Sequence, residues 1–503
     1  MATIRLQPGD RTINVDAGTP LQEVLFPHGV EFPCGGRGTC KACRVRVLSA
    51  PPAPSEAELL AFTDAHIFAG WRLGCRLSAS DGLSLELGRW SSPVLADDTP
   101  VTVQPREGYG IAIDLGTTTL VAQLVDRRDA RVLATRTALN PQARHGADLM
   151  TRIDHALHGG AAALRDMILA QLGSMISELA GEATAPVRLV TVVGNTAMHH
   201  LFGGIDVKPL SEPPFRPVQD GLLEFTASDL GWSLGNCPVH VLPCLGGFVG
   251  SDLTAGILAT RLHELPGMNL LIDLGTNGEL VCGGEGGLVC ASTAAGPAFE
   301  GAGISIGMRA ATGAIGSVRV ANEALVPEVL GGGDPRGICG SGLVDAIAGA
   351  LDLAWIVPSG RLQRGRSDIP VGPGLALHGL DVRQLQLAKG AIAAGIHLLC
   401  RARGGTPKDL RRVFLAGAFG NYVRINAAVR IGLLPVDPDI VLPAGNTALL
   451  GARLALNHDD HAYAAIRAHT HHVELKIEPS FDDTYIDAMA FPSLSPCVVK
   501  IPG

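Results

Sequence analysis

Residues 111–126 read IAIDLGTTTLVAQLVD, and residues 270–285 read LLIDLGTNGELVCGGE. Each runs from a short apolar strand pattern through Asp-Leu-Gly-Thr into a second apolar run, the pattern of a strand–turn–strand unit. Two further segments echo in the same order. VTVVGN (190–195) pairs with VFLAGAFGN (413–421), and VLPCLGGFVGSDLTAGILA (241–259) with VLPAGNTALLGARLALN (441–457). A single echo carries little weight, whereas three in register describe two related halves, meeting near 266–269. Between the echoes, short strands alternate with Ala/Leu-rich stretches expected as helices at 161–180, 251–264, 342–355, 381–402 and 446–457. That alternation predicts α/β layers.

The repeated turns suggest a chemistry. Asp114 and Asp273 stand at strand ends, where a carboxylate can hold hydrated Mg2+. Gly116, Thr117 and Thr118 in the first turn, and Gly275, Thr276 and Asn277 in the second, let backbone N–H groups and hydroxyls approach phosphate oxygens. Neither turn is a GxxxxGK[ST] loop or a G-x-G-x-x-G fingerprint. One such turn alone reads equally as an ordinary hairpin; two, each opening a half, favour phosphate. GPAFEGAG (296–303) and ICGSGLVDAIAG (338–349) are glycine turns expected to feed helices. Asp252, in GGFVGSD (246–252), reads either as a helix-capping residue or as a catalytic carboxylate. His199 and His200 read as structural.

A second kind of site precedes both halves. FPCGGRGTCKACRVRV (32–47) and WRLGCRL (71–77) space four cysteines as Cys34-x5-Cys40-x2-Cys43-x31-Cys75. A glycine-rich loop carrying Gly35, Gly36 and Gly38 can wrap three thiolates around an iron–sulfur cluster, and a distant fourth closes it. Zinc competes, because CxxC is common in zinc sites, but a second CxxC is missing. Cys237, Cys244, Cys282, Cys290, Cys339, Cys400 and Cys497 have no ligand spacing and are expected as buried thiols.

Composition narrows the classes. Of 503 residues, 47% are hydrophobic and 17% charged, which excludes a largely disordered chain. Glycine, at 63 residues, has no G-X-Y period, so collagen is excluded. Aromatics at 4% and a net charge of −8 without a basic run argue against nucleic-acid and anionic-membrane partners. No signal-peptide pattern and no long apolar span is evident, so a cytoplasmic location is expected. The chain divides as a small β-rich module (1–88), a Pro- and acid-containing linker (89–108), lobe I (109–268), lobe II (269–458) and a C-terminal segment (459–503) packing on the ATPase lobes, in which VELKI (473–477) alternates like a strand.

Several resemblances follow from these motifs. The cysteine run resembles the 2Fe-2S ferredoxins, with the five-residue first gap of the adrenodoxin-like form. The paired DLGT turns resemble the phosphate motifs of the sugar kinase/Hsp70/actin superfamily (ASKHA), whose two lobes close on ATP and Mg2+. LAGAFGNYV (415–423) resembles its adenosine motif, which implies nucleotide contacts at Gly417, Ala418, Phe419 and Gly420. Asp114, Asp273 and Asp252 would be its catalytic carboxylates, Asp252 by likeness to a sugar-kinase general base. The order PCGGRGTC, DLGTTT, VVGNTAMHHLF, IDLGTNGE, ICGSG, LAGAFGNYV and DAMAFP (487–492) resembles the reductive activators of corrinoid proteins. Cys34, Cys40, Cys43 and Cys75 would then bind a 2Fe-2S cluster, ahead of a two-lobed ATPase. The implied activity is ATP-dependent return of an inactive Co(II) corrinoid to Co(I) in a methyltransferase system. The implied partners are that corrinoid protein and an upstream donor such as reduced ferredoxin or a flavoprotein, and a homodimer stays open. Members often carry an extra domain between cluster and ATPase; here only residues 89–108 intervene. Another redox-coupled ATPase, a small-molecule kinase with an iron–sulfur sensor, and a scaffold with a vestigial cleft are the alternatives.

Overall fold

The computed structural model describes all residues except 8–10, 29, 31, 33–35, 37, 39–42, 63, 88–98, 147, 276, 421, 459 and 494–503. The chain forms two compact units, Met1–Glu264 with Gly445–His472 and Leu265–Ala444 with Val473–Gly503.

The first unit begins with a sheet of five strands in the order Arg11–Val15, Ala2–Gln7, Leu83–Glu86, Arg44–Val47 and Trp71–Leu73. Its strands alternate buried and exposed residues, as a half-buried sheet requires. Ile4, Leu6, Val45, Leu73 and Leu85 pack beneath it against Leu21 and Leu25 of the helix Leu21–Leu25. This is the ferredoxin-like domain that the cysteine run implied.

A six-stranded sheet follows, in the order Leu223–Thr226, Pro238–Val241, Val187–Val193, Tyr109–Leu115, Thr119–Asp126 and Arg131–Leu139. The last three form an antiparallel meander. Val187–Val193 adds in parallel to Tyr109–Leu115, and Pro238–Val241 in parallel to that. The helix Ala161–Gly181 buries Leu164, Ile168, Leu172, Met175, Ile176 and Leu179, one stripe at helical spacing, against this sheet. The helices Ser251–Thr260 and Thr447–Ala455 pack on each other. They pack so closely that a Cβ on Gly451 would strike the Ala255 backbone.

The second unit repeats the plan. Asn269–Leu274, Gly278–Gly284 and Gly287–Thr293 form the meander. Val413–Ala416 adds in parallel to Asn269–Leu274, with Val441–Gly445 beyond it. The three sequence echoes thus occupy equivalent strands of two sheets, and the fold is that of an ASKHA domain behind a ferredoxin-like domain. The long helix Gly379–Ala402 packs on the second meander. The helix Phe481–Met489 lies against Gly379–Ala402, and buried Lys389 donates to the Ala490 carbonyl at 2.5 Å.

Three features depart from the sequence-based expectation. VELKI does not form a strand: Leu475–Ile477 is a 3-10 turn, because Val473 and Leu475 point apolar groups into the second core from an irregular stretch. Residues 445–472 fold with the first unit, although 445–458 were expected in lobe II and the rest in the C-terminal segment. Part of the expected linker is anchored to the first unit. Residues 89–98 lie outside the described residues, but the Thr99 carbonyl accepts from Arg453, the Gln104 carbonyl from Asn457 (2.7 Å), and Arg106 donates to the Asn457 carbonyl (3.0 Å). Among the described residues no helix is long and apolar enough to cross a membrane.

Candidate functional site

The first phosphate-type turn is built by convergence. The strand Tyr109–Leu115 delivers Asp114, whose Oδ2 accepts a 2.9 Å hydrogen bond from Asn446 Nδ2. Asp114 is partly exposed, yet loss of water around the carboxyl pushes its pKa up to about 6, against the opposing pull of Asn446. Gly116 is required by close approach, since a Cβ there would strike the Thr119 carbonyl. Thr117 Oγ1 accepts from Asn195 Nδ2 at 2.7 Å, and the Thr117 carbonyl accepts from Arg152. The Thr118 carbonyl accepts from the Asn140 N–H at 2.8 Å. Arg152 is fully buried, and burial pushes its pKa down to about 9, so it stays cationic at neutral pH. Its other hydrogen bonds go to the Gly146 carbonyl (2.7 Å), Gln142 Oε1 (3.2 Å) and Met198 Sδ (3.7 Å), all neutral, while the Asp148 carboxylate acts on it electrostatically. A buried cation held by neutral hydrogen-bond partners under a Gly-Thr turn suits an incoming phosphate.

Asn195 and Asn446 were not singled out in the sequence, yet they are the same device used twice. Each caps a helix, accepting from Met198 N (3.0 Å) and Leu449 N (2.9 Å) respectively, while its amide reaches the first turn. The signal that would have found them is a repeated tetrapeptide, Gly-Asn-Thr-Ala at 194–197 and 445–448. Asp252 lies one residue into the helix Ser251–Thr260, whose cap is Gly250, and its Oδ1 accepts from Leu253 N at 2.8 Å. Its neighbour Ser251 meets Gly194 through both backbone and hydroxyl, so the segment adjoins the Gly194–Asn195 turn. His199 and His200 are buried and bonded to the Gly221 and Thr196 carbonyls, the structural role expected of them.

Backbone approaches the second turn closely. Asp273 is the penultimate residue of the strand Asn269–Leu274, and Gly275 N donates to the Asn277 carbonyl at 3.0 Å. Thr276 lies outside the described residues. Gly417 sits against Asp273 and Leu274 with φ +86°, and a Cβ there would lie 2.5 Å from Asp273 Oδ1 and 2.6 Å from the Leu274 carbonyl. The turn Gly417–Gly420 therefore adjoins the Asp273 turn, as an adenosine motif beside a phosphate motif requires. Phe419 stacks on Phe299 at 4.6 Å; nothing is described of the Ala418 side chain. A cavity of about 990 Å³ is lined by Gly420, Val423, Arg424 and Asp345, but not by Asp273 or Gly275.

For the cysteines, strand pairing closes the long gap. Arg44 pairs with Leu73, so Cys43 and Cys75 flank adjoining strand ends, and Gly74 N donates to the Cys43 carbonyl at 2.8 Å. Glu58 fixes the second of these strands, accepting from Leu73 N at 2.6 Å. Cys43 is buried and Cys75 partly exposed. Gly36 and Gly38 both adopt left-handed φ (+84° and +81°), and a Cβ on Gly38 would lie 2.8 Å from Arg76 Nε. Such a loop can turn its backbone N–H groups toward cluster sulfurs, so the described residues fit a cluster. Cys34, Cys40 and Gly35 lie outside the described residues. Cys237, Cys244, Cys282, Cys290, Cys339 and Cys400 are all buried, as expected, and Cys497 is outside.

Comparison with known proteins agrees with this organisation. Residues 4–80 match the 2Fe-2S iron-sulfur cluster binding domain, 109–265 the RACo middle region, and 267–499 the C-terminal domain of RACo, the ASKHA domain. The corrinoid activation enzyme RamQ of Eubacterium limosum is 35% identical over 427 residues, covering 78% of this chain and 72% of that protein. A Co(II) methylated amine-specific corrinoid protein reductase of Methanosarcina barkeri is 29% identical, covering 76% and 77%. The solved structure of a reductive activator for corrinoid, iron-sulfur protein superposes with a TM-score of 0.66 at 26% identity, over 98% of this chain and 99% of that one.

Proposed function

The chain belongs to the reductive activators of corrinoid proteins, and on that footing we propose that it delivers one low-potential electron to the Co(II) corrinoid of a methyltransferase system, restoring Co(I), with ATP hydrolysis driving the transfer. The observation that carries this reading is the pairing, within one chain, of a cysteine frame built for a cluster with an ASKHA-type phosphate turn whose carbonyl is held by the buried cation of Arg152. Held by Cys34, Cys40, Cys43 and Cys75, a 2Fe-2S group supplies a one-electron carrier. One electron enters from a donor of the ferredoxin or flavoprotein class and one leaves to cobalt, so the redox balance closes without a further reactant. The Asp114 turn, with Gly116, Thr117 and Thr118, and the Asp273 turn, with Gly275, Thr276 and Asn277, orient Mg2+ and phosphates. Gly417, Ala418, Phe419 and Gly420 meet the nucleoside, and Asp252 stands as the candidate base for water. ATP can favour an uphill electron only if the nucleotide binds unequally to two states that differ in their contact with the corrinoid protein or the cluster domain. We place the protein in the cytoplasm, beside its corrinoid partner.

The test is anaerobic reduction of a Co(II) corrinoid protein by the iron-loaded chain and a low-potential reductant, read from the corrinoid's visible spectrum. Co(I) is expected with Mg-ATP and not with a non-hydrolysable analogue, and the Co(II) partner is expected to stimulate ADP release. Equal Co(I) formation with ATP omitted would overturn the reading.

A further inference from the structure

One continuous path of contacts joins the first phosphate turn to the cysteine loop. Asn140, fully buried, donates from its backbone to the Thr118 carbonyl (2.8 Å) and from Nδ2 to the Gly116 carbonyl (2.9 Å). Its Oδ1 accepts from Gln142 N at 3.0 Å and so caps the 3-10 turn Pro141–Arg144. That turn enters the ferredoxin-like domain. Ala143 joins the domain's apolar core, and the Arg144 guanidinium lies 5.2 Å over the Phe26 ring. The Arg144 carbonyl accepts a 2.5 Å hydrogen bond from Gln22 Nε2. Gln22 Oε1 in turn lies against Gly36, where a Cβ would collide with it. Gly36 belongs to the Gly-Gly-Arg-Gly stretch between Cys34 and Cys40.

The character of these contacts matters more than their number. Asn140 turns its backbone N–H and Nδ2 to the phosphate turn and its carbonyl and Oδ1 to the Pro141–Arg144 turn, so a shift of the Gly116 and Thr118 peptides is carried to that turn. Those peptides belong to the turn that receives phosphate. Proline at the start of the 3-10 turn removes one backbone freedom and stiffens the lever. At the other end the turn meets the cysteine domain through Ala143 in its apolar core, Arg144 over Phe26 and the Gln22 hydrogen bond.

We propose that Gln22 is a positioning residue that transmits the state of the first phosphate turn to the cysteine loop, by way of Asn140 and the Pro141–Arg144 turn. Nucleotide at that turn thereby changes how readily the cluster takes up its electron. This rests on the ATP reading above. Reciprocity then requires that reduction of the cluster change nucleotide affinity by the same factor.

The experiment uses the full, iron-loaded chain under anaerobic conditions with Mg2+ and a non-hydrolysable ATP analogue. Calorimetry measures the analogue's Kd with the cluster oxidised and with it reduced by dithionite, and electron paramagnetic resonance records the reduced cluster with and without analogue. In the wild type the two Kd values are expected to differ by on the order of 5-fold or more, and the spectrum to change on binding. In Gln22→Met, which keeps side-chain length but removes the amide, iron content and the oxidised-state Kd are expected to hold, while the Kd ratio falls to about one and the spectrum loses its response. If Gln22→Met takes up too little iron, Arg144→Met replaces it; that variant leaves the carbonyl and every cysteine in place and should reduce the ratio by loosening the Phe26 contact. A wild-type ratio of about one, or a wild-type ratio retained in these variants, overturns the inference while leaving the ATP reading standing. Absence of analogue binding in both redox states overturns both.

Discussion

The two phosphate-type turns begin with the same four residues, Asp-Leu-Gly-Thr, at the end of the first strand of the same meander. They are nevertheless held by different means. Around Asp114 the grip comes from side chains: Asn446, Asn195, Arg152 and Asn140 arrive from four separate segments and each hydrogen-bonds the turn or its carboxylate. Around Asp273, Gly417 is pressed so close that no side chain fits. The glycines inside the turns differ to match. Gly116 has no room for a Cβ, whereas at Gly275 the nearest atom would be 3.8 Å away. Equal letters therefore do not give equal surroundings, and the Asp114 turn is reached by side chains from distant segments.

The largest expected effect treats the turns alike. Asp114→Ala and Asp273→Ala should each lower ATP turnover by about 10²–10³-fold, the usual cost of losing a charge-orienting group. The visible spectrum of the cluster should be unchanged in both. Wild-type turnover in either would remove that turn from the site and end the comparison.

The next effect separates them. Gly417→Ala forces a side chain into the left-handed region and into the Leu274 carbonyl, so unfolding by denaturant should show a loss of about 1–3 kcal/mol. Asn446→Ala removes a helix cap, costing about 1 kcal/mol, and also a hydrogen bond that holds the Asp114 pKa down. ATP turnover should therefore lose activity at higher pH in Asn446→Ala than in the wild type, where the fall is expected as pH drops through about 6. An unmoved pH profile would mean that Asn446 caps its helix and does nothing for the turn.

The smallest effect is on stability. Asp114 has a folded pKa raised from 3.8 to about 6. A carboxyl so raised binds its proton more tightly when folded, so it opposes folding increasingly as pH climbs through that window and fully above it. Asp114→Asn should therefore be at least as stable as the wild type at pH 7, and its advantage should shrink toward pH 4. This is the expected mark of a carboxylate kept for function at the expense of stability. A variant less stable at pH 7 than the wild type would show that the Asn446 bond outweighs the burial.

Much of this was legible in one dimension because it is local. A strand ending in Asp-Leu-Gly-Thr, a left-handed glycine loop between cysteines, and a helix with Leu164, Ile168 and Leu172 on one face are each set by residues within a few positions of one another. The order of such pieces sufficed for the α/β lobes, the ferredoxin-like domain and the family. The sequence also held the repeated Gly-Asn-Thr-Ala, but nothing local distinguishes a helix cap that ends in its own helix from one that also reaches a carboxylate 332 positions away. VELKI alternates as a strand does, yet the pairing of Thr470–His472 with Gly287–Thr293 ends with the bond from Val473 to Cys290, and Leu475–Ile477 turns into a 3-10 helix that buries Leu475 in the core. The path from Asn140 to Gln22 was equally invisible, since Gln22 and Arg144 lie 122 residues apart and neither belongs to a motif. Backbone turns and amphipathic faces are decided by short-range sterics and periodicity, which the sequence states directly. Which polar side chain satisfies which distant carbonyl is decided only when packing brings them within 3 Å and removes the water that would otherwise have served.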